Sequence, residues 1–564
     1  MHYKAYQATQ HLLKSSIMKP YNNLTFPSLF SETVAKFGSS NAMALVGQSP
    51  ITYKEVNSKI QTLIAFYEKL GIKPGDKVAI LSSNMPNWGI TYYATTFMGA
   101  VVVPILPDFS VMEIENILKH SESKAIVVSK ALFAKIKDLN IDTLDYTIAV
   151  ENFELINANE NTAQYDASAT PDKTYQVAED DMAAIIYTSG TTGSSKGVML
   201  SHKNICSNAT SARQLHPIDE TDRFLSILPL SHTYENTLGF IIPMLAGSCI
   251  YYLGKAPVPS LLISALKEVK PTIMFSVPLI IEKIYKGKIL PTINGKAITR
   301  NLYKIPFFRK RLNAIAGKKL METFGGELTF FGIGGAKLGD KIEQFLREAK
   351  FPYAIGYGLT ETSPLLAGIG VAHTQYRSTG PALAGIELKI HNPDPHTQIG
   401  EVWAKGDNVM LGYFKDPEKT KEVMTEDGWF RTGDLARMDQ NNYLYIESRL
   451  KNMIVGASGE NIYPEEIESV INNFKHVVES VVIEKKGKLV AMVHFNYEEL
   501  EQQYKTLKKD VENYVDQQID ELMKELHEYV NARVNKFSQV QMVIAQTHPF
   551  QKTATHKIKR FLYY

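Results

Sequence analysis

An apolar run, Ala183-Ala184-Ile185-Ile186, feeds directly into Tyr187-Thr188-Ser189-Gly190-Thr191-Thr192-Gly193-Ser194-Ser195-Lys196-Gly197, and no other segment constrains the chain as much. It reads as a strand that ends in a cradle for an anion. Glycines let the backbone approach closely, hydroxyls and backbone N–H groups donate to phosphate oxygens, and Lys196 adds a charge. A flexible Ser/Thr/Gly linker has similar composition, but a linker calls for neither the strand before the loop nor the lysine after it. The spacing from Gly190 through Gly193 to Lys196 and Gly197 does not fit G-x-x-x-x-G-K-[ST], so the loop of the nucleotide-hydrolysing proteins is set aside.

Other short apolar runs, Lys77–Leu81, Ala125–Val128 and Ile273–Val277, alternate with amphipathic stretches through the first three quarters of the chain. That alternation predicts an α/β fold with parallel sheets layered by helices. At 564 residues the chain exceeds the size at which a single core stops growing, so more than one domain is expected. Turn residues near Ser448-Arg449-Leu450-Lys451 precede a new α+β stretch and place the boundary there, giving domains 1–448 and 449–564. Residues 154–176 are polar and read as a loop. Leu500, Tyr504, Leu507, Val511, Val515, Ile519, Leu522, Leu526, Val530 and Val534 recur at helical spacing, so a long amphipathic helix, broken once at most, is expected at about 499–535.

Lys and Arg number 61 against 59 Asp and Glu, which removes any global electrostatic reason to expect nucleic acid. Cys206 and Cys249 fit neither a disulfide framework nor a zinc site, and a reducing, cytoplasmic setting is expected. Residues 1–20 lack the apolar core of a signal peptide, and Thr237–Leu253, broken by Gly239, Pro243 and Gly247, is short for a membrane span.

The loop from Tyr187 to Gly197 resembles the Y-T-S-G-T-T-G-x-P-K-G signature of the adenylate-forming superfamily, which includes acyl-CoA synthetases, luciferases and peptide-synthetase adenylation domains; Ser195 stands where proline is common. Further motifs follow in the superfamily's order. Phe331-Gly332-Ile333-Gly334-Gly335-Ala336 and Gly356-Tyr357-Gly358-Leu359-Thr360-Glu361 resemble its adenine and α-phosphate site. The resemblance implies a large N-terminal domain of several subdomains and a small mobile C-terminal one. It implies ATP, Mg²⁺ and coenzyme A as ligands. Thr188, Ser189, Gly190, Thr191, Thr192, Gly193 and Lys196 would hold the phosphates, and Gly335, Ala336, Tyr357, Gly358 and Thr360 the adenine and α-phosphate. Thr188 and Glu361 would hold the metal, a hard cation suited to oxygen.

Gly428-Trp429-Phe430-Arg431-Thr432-Gly433-Asp434 resembles the ribose site, where two carboxylate oxygens take two hydroxyls and Arg449 assists. Lys552-Thr553-Ala554-Thr555-His556-Lys557-Ile558-Lys559-Arg560 resembles the catalytic-lysine loop, with His556 in place of the frequent glycine. Lys557 is the expected catalytic lysine, and Lys552 and Lys559 are the alternatives. Ser448–Glu466 is similar to the hinge and thiol-acceptor loop, with Lys451 at the hinge and Gly459 beside the pantetheine arm; a plain interdomain hairpin satisfies the same glycine and proline.

Leu228–Glu235 lies where the superfamily builds its acid pocket. It carries no aspartate for a substrate ammonium, and the run Thr237–Leu245 that follows is apolar. His232 either orients the carboxylate or forms part of the wall. Val277–Gly287 and the C-terminal helical insertion resemble long-chain fatty acyl-CoA synthetases in particular, so the resemblance implies ATP-dependent activation of a medium- to long-chain fatty acid and its transfer to coenzyme A. Transfer to acyl carrier protein is the alternative acceptor, and a non-catalytic lipid- and nucleotide-binding protein is the alternative class. From Glu282 to Lys319 there are eleven Lys or Arg against one acidic residue, a patch that suits an anionic inner membrane surface, the phosphates of coenzyme A, or plain solvation. Weak peripheral membrane association and a homodimer stand as further expectations.

Overall fold

A computed structural model of the chain describes residues 21–564 apart from 157–162, 189–195, 256, 456–460, 486, 499, 501–510 and 554–556; side chains at 511–517 are also outside the description. The fold is α/β, as expected. One seven-stranded sheet runs in the order Gly412–Tyr413, Lys196–Ser201, Met182–Thr188, Val101–Pro104, Lys77–Leu81, Ser123–Val128, Tyr146–Ala149. From Met182–Thr188 outward to Tyr146–Ala149 its neighbours are parallel. Val101, Val102 and Val103 are all buried, the continuous apolar pattern of a strand covered on both faces.

A second seven-stranded sheet runs Tyr353–Ile355, Phe330–Ile333, Ile273–Ser276, Arg223–Ser226, Cys249–Tyr252, Asn41–Leu45, Ile51–Thr52, parallel except for the last pair. Covering helices begin where the sequence supplies caps. Thr52 with Glu55 opens Tyr53–Lys69, and Ser110 with Glu113 opens Val111–Ser121, each through a reciprocal capping box that satisfies two otherwise orphaned N–H groups. A four-stranded antiparallel sheet, Ile386–His391, Gly400–Gly406, Phe430–Met438 and Leu444–Arg449, follows.

The remaining chain builds its own apolar core. Val477–Lys485, Lys488–Phe495 and Met542–Gln546 form a three-stranded sheet. The helix Val511–Asn531 lays Ile519, Leu522, Leu526 and Val530 against it. The expected amphipathic helix is therefore present over the described residues and spends its stripe on its own core; 501–510 lie outside the described residues. Polar contacts from the large part include Lys286 Nζ, which donates to the Val477 carbonyl at 3.5 Å, and Lys341 Nζ, which donates to that of Asn473 at 2.9 Å. Among the described residues no helix is long and apolar enough to cross a membrane.

The apolar run after His232 folds as a widened π-helical stretch, Glu235–Ile241, continuing into Ile242–Ala246, with every residue buried. Glu235 is the costly member: the residue is 2% exposed and one carboxyl oxygen has no hydrogen-bond partner among the described residues. Room for it comes from Gly239, where a Cβ would lie 2.6 Å from the Glu235 carboxyl carbon. Burial pushes the carboxyl up to about 8, against a hydrogen bond with Ser226 that favours the charge. Ser226 Oγ accepts from Asn84 Nδ2 at 2.9 Å, and the same amide donates to the Leu228 carbonyl and accepts from the Leu230 N–H. The network thereby ties Glu235 to the loop that carries His232.

Because the folded protein holds the Glu235 proton above the carboxyl's ordinary range, the native state binds more protons than the unfolded chain between about pH 4.5 and 8, and stability falls as pH rises through that window. The full difference is about 5 kcal/mol. Glu235→Gln is expected to match the wild type near pH 5 and to become progressively the more stable of the two toward pH 8.5, as read from paired thermal or denaturant midpoints; a constant offset at all pH values would show that Glu235 does not titrate in this way.

Candidate active site

In open α/β sheets, ligands bind beyond the carboxyl ends of the strands. Four neighbouring strands of the second sheet end at one edge: Arg223–Ser226 leads to the His232 loop, Ile273–Ser276 to Val277, Phe330–Ile333 to Gly334-Gly335-Ala336, and Tyr353–Ile355 to Gly356–Glu361. Gly335 has φ +82°, a left-handed conformation that suits glycine, and a Cβ on Gly358 would lie 1.9 Å from the Pro364 carbonyl oxygen. The loop around Thr360 is held from several sides. Thr237 Oγ1 donates to the Ser363 carbonyl at 2.9 Å, Asn408 Nδ2 to that of Thr362 at 2.7 Å, and Asn208 both donates to and accepts from Leu365.

The first sheet joins this edge through the strand Met182–Thr188. Beyond it Ser189, Gly190, Thr191, Thr192 and Gly193 lie outside the described residues. The chain returns antiparallel as Lys196–Ser201, with Thr188 opposite Lys196, a reversal that the reading of strand plus loop did not include. Lys196 Nζ sits 4.7 Å over the ring of Tyr413, and the Tyr413 hydroxyl donates to Glu361 Oε1 at 2.9 Å. Burial, together with Lys451 and Lys419 nearby, lowers the Lys196 ammonium, and Glu361 partly opposes this. Tyr413 thus links the phosphate-loop lysine to the carboxylate proposed for the metal, and sequence reasoning missed it. Its only cue was Gly412-Tyr413, where the φ of +141° at Gly412 begins an edge strand against Lys196–Ser201.

The antiparallel sheet contributes Asp434 and Arg449, which face each other in register on adjacent strands. Arg449 Nε lies 2.6 Å from Asp434 Oδ1, and the Tyr357 hydroxyl donates to Asp434 Oδ2 at 2.8 Å. The Tyr357 ring packs with Leu366 and Ala367 in a small core. Burial raises the Asp434 carboxyl, with Arg449, Tyr357 and Lys557 opposing it, while burial works against the Arg449 charge and Asp434 holds that charge in place.

Lys557 reaches the same place from the C-terminal part. It is open to solvent. The protein crowded around it and Arg449 lower its ammonium, and Asp434 and Glu361 pull the other way. Burial, with the Lys557 charge adding to it, lowers His232 to about 4, so this imidazole is neutral at pH 7. The Tyr234 N–H donates to His232 Nδ1 at 3.2 Å, which leaves Nε2 as the protonated nitrogen. Lys552 is engaged elsewhere, 2.7 Å from Glu479, and Arg560 pairs with Glu468 to anchor the segment. His556 and Gly459 lie outside the described residues, and Lys451 is in the turn Leu450–Asn452.

For a metal, the described residues contain no cluster of three or more His, Cys, Asp or Glu side chains. Mg²⁺ needs none when phosphates and water complete its shell, and the Glu361 carboxylate beside the end of Thr188–Lys196 fits that demand.

The chain is 28% identical over 510 residues to the long-chain-fatty-acid–CoA ligase heimdall of Drosophila melanogaster, covering 81% of this chain and 74% of that protein. It is 27% identical over 562 residues to the long-chain-fatty-acid–[acyl-carrier-protein] ligase AEE15 of Arabidopsis thaliana, covering 84% and 76%. Other curated relatives include 4-coumarate–CoA ligases. The fold superposes on ATP-bound MatB from Rhodopseudomonas palustris with a TM-score of 0.74 at 23% identity, covering 96% of this chain and 98% of that one. Together with a match to the AMP-binding enzyme model from residue 30 to residue 414, these findings place the chain in the adenylate-forming family of AMP-producing acid–thiol ligases, whose members use ATP with Mg²⁺ and a thiol acceptor.

Proposed function

We propose that this protein activates a medium- to long-chain fatty acid with ATP through an acyl-adenylate and then transfers the acyl group to coenzyme A. The observation that carries the reading is the convergence of Lys196, Tyr413, Glu361, Asp434, Arg449 and Lys557 from three sheets and the C-terminal segment onto one cleft. Asp434 takes the two ribose hydroxyls, oriented by Arg449 and Tyr357. Thr360 and the glycine loop at Gly335 and Ala336 face the α-phosphate and adenine, and Thr188 with the loop to Lys196 holds the leaving phosphates. Thr188 and Glu361 would hold Mg²⁺, which supplies neutralising charge on the phosphates.

The acid carboxylate must attack an α-phosphate that is itself negative. One ammonium at ~4 Å and an effective dielectric of ~20 contributes about 4 kcal/mol, roughly a thousandfold in rate. Lys557 supplies it; of the two alternatives, Lys552 is occupied by its ion pair with Glu479, and Lys559 is left to the test below. Neutral His232 hydrogen-bonds the acid without competing for its charge. The small domain, from residue 449 onward, then turns about Lys451 and withdraws Lys557, and Gly459 lines the path of the thiol. The fatty acid assignment rests on the apolar run after His232, the absence of an acidic partner for an amino group in Leu228–Thr233, and the fatty-acid ligases among the relatives. A cytoplasmic setting with weak peripheral contact at the inner membrane face belongs to the same reading. The carrier-protein acceptor is the second reading, favoured by the Arabidopsis relative.

Two measurements test the proposal. Pyrophosphate release across a series of fatty, aromatic and amino acids, with and without coenzyme A, is expected to peak at long chains and to turn over only with coenzyme A; turnover with acyl carrier protein instead would select the second reading. Lys557→Ala is expected to slow adenylate formation by about a thousandfold while leaving thioester formation from preformed acyl-adenylate nearly unchanged. Equal impairment of both half-reactions would move the role to another residue.

A further inference from the structure

The segment Pro278–Thr323 leaves the second sheet beside the candidate site, where Val277 lies 3.6 Å from the place a Cβ on Gly335 would take, and rejoins it only at Phe330. Its last two helices, Ala297–Tyr303 and Pro306–Thr323, meet at a corner around Ile305. The longer helix is pinned by its inner face. Asn313, Gly317 and Leu320 are buried, Asn313 Nδ2 donates to Glu348 at 2.8 Å, and a Cβ on Gly317 would lie 2.4 Å from the Ala349 carbonyl oxygen. Arg309 is spent in a two-pronged pair with the same Glu348.

Pinning that face fixes the outer one. Phe308, Arg311, Ile315 and Lys319 follow each other there at helical spacing. Around the corner Ile298 is 75% exposed, Ile305 48%, Phe307 57%, Phe308 39% and Ile315 58%. The Phe307 and Phe308 rings touch at 5.4 Å, and the Arg311 guanidinium covers Phe307 at 4.5 Å. No acidic residue occurs between Lys283 and Lys319. Among the described residues Lys296, Arg300, Lys304, Lys310 and Lys318 have no ion-pair partner. Single exposed apolar side chains are ordinary; large ones crowded on one corner with unpaired cations are the composition of a surface that sits at a lipid boundary.

We propose that this corner seats the protein on an anionic lipid leaflet, with Ile305, Phe307 and Phe308 entering the headgroup boundary and Lys304, Lys310 and Arg311 meeting the phosphates. A protein interface gathers its apolar residues into a centre depleted of charge. Here cations and apolar residues alternate, as at 298 and 300, 304 and 305, and 307–308 and 310–311, an arrangement that suits lipid because long lysine and arginine stems lie along apolar surface while their charged heads stay hydrated. The significance for catalysis rests on the fatty-acid reading: the helices from Pro278 to Tyr303 lead from Val277, beside the cleft, to the docked corner, so a leaflet that supplies the acid would be held close in the chain to the site that uses it.

The test is co-sedimentation of the full chain with vesicles of phosphatidylcholine, with or without phosphatidylglycerol. Binding is expected only with the anionic lipid, weakened by salt, since each basic residue near the leaflet tightens partitioning by about fivefold. Phe307→Ser with Phe308→Ser, and separately Lys310→Glu with Arg311→Glu, are each expected to lower it by about tenfold or more. Pyrophosphate release from detergent-dispersed acid should stay at the wild-type level, showing that the variants fold. Equal binding to neutral vesicles, or variants that bind as the wild type does, would overturn the proposal. So would a wild-type dimer that the same substitutions dissociate, or capture of acidic carrier protein with no vesicle binding. Vesicle binding needs no turnover, so a chain that docks but activates only short or aromatic acids would overturn the fatty-acid reading alone, and one that activates long acids yet ignores vesicles would overturn this proposal alone.

Discussion

Asp434 is a carboxylate taken almost wholly out of water, and much of the cleft follows from what keeps it there. A buried carboxylate is costly unless paired and hydrogen-bonded. Arg449 meets one of its oxygens and the Tyr357 hydroxyl the other, and each partner comes from a different part of the fold. Arg449 is fixed opposite Asp434 by the register of two antiparallel strands. Tyr357 is carried at the carboxyl edge of the second parallel sheet. Satisfying this one charge therefore sets the antiparallel sheet against the parallel one, and the groove between them is where the remaining polar side chains collect.

The second joint works by the same logic. Tyr413 belongs to the edge of the first sheet and Glu361 to a loop of the second, and a single hydroxyl joins them while its ring faces the Lys196 ammonium. The Met410 N–H, which donates to the Glu361 carbonyl at 2.9 Å, adds a backbone tie at the same spot. A cation over an aromatic face gains electrostatically without being neutralised, so Lys196 keeps its charge available to an anion.

Much of this was legible in the sequence. Short apolar runs such as Lys77–Leu81 became strands because buried parallel strands need no alternation, and the local pattern sufficed. Glycine positions at Gly335 and Gly358 were readable because close backbone approach excludes a side chain whatever the tertiary context. Tyr413 and Asn208 were not readable: each acts on a partner far away in the chain, and a single sequence carries no signal of that pairing. Glu235 was not readable for another reason, since its partners are near in the chain but the burial that holds its proton is a product of the whole fold. The return strand Lys196–Ser201 was missed for a related reason, since glycine and hydroxyl residues mark a loop but not the direction in which the chain leaves it. The basic run 282–319 was visible as composition, whereas its division into a spent Arg309 and an exposed corner required the Glu348 contact.

The two lysine contacts that join the large part to the small one carry a thermodynamic consequence. Lys286 and Lys341 rest on carbonyl oxygens of the Asn473–Val477 turn, while the apolar clusters on either side remain separate. At these points water can replace each ammonium–carbonyl bond one for one, with little apolar surface uncovered. Loosening them would then change the heat capacity little, because that quantity follows apolar exposure. These two contacts can accordingly respond to hydration and ionic conditions without either apolar core having to open.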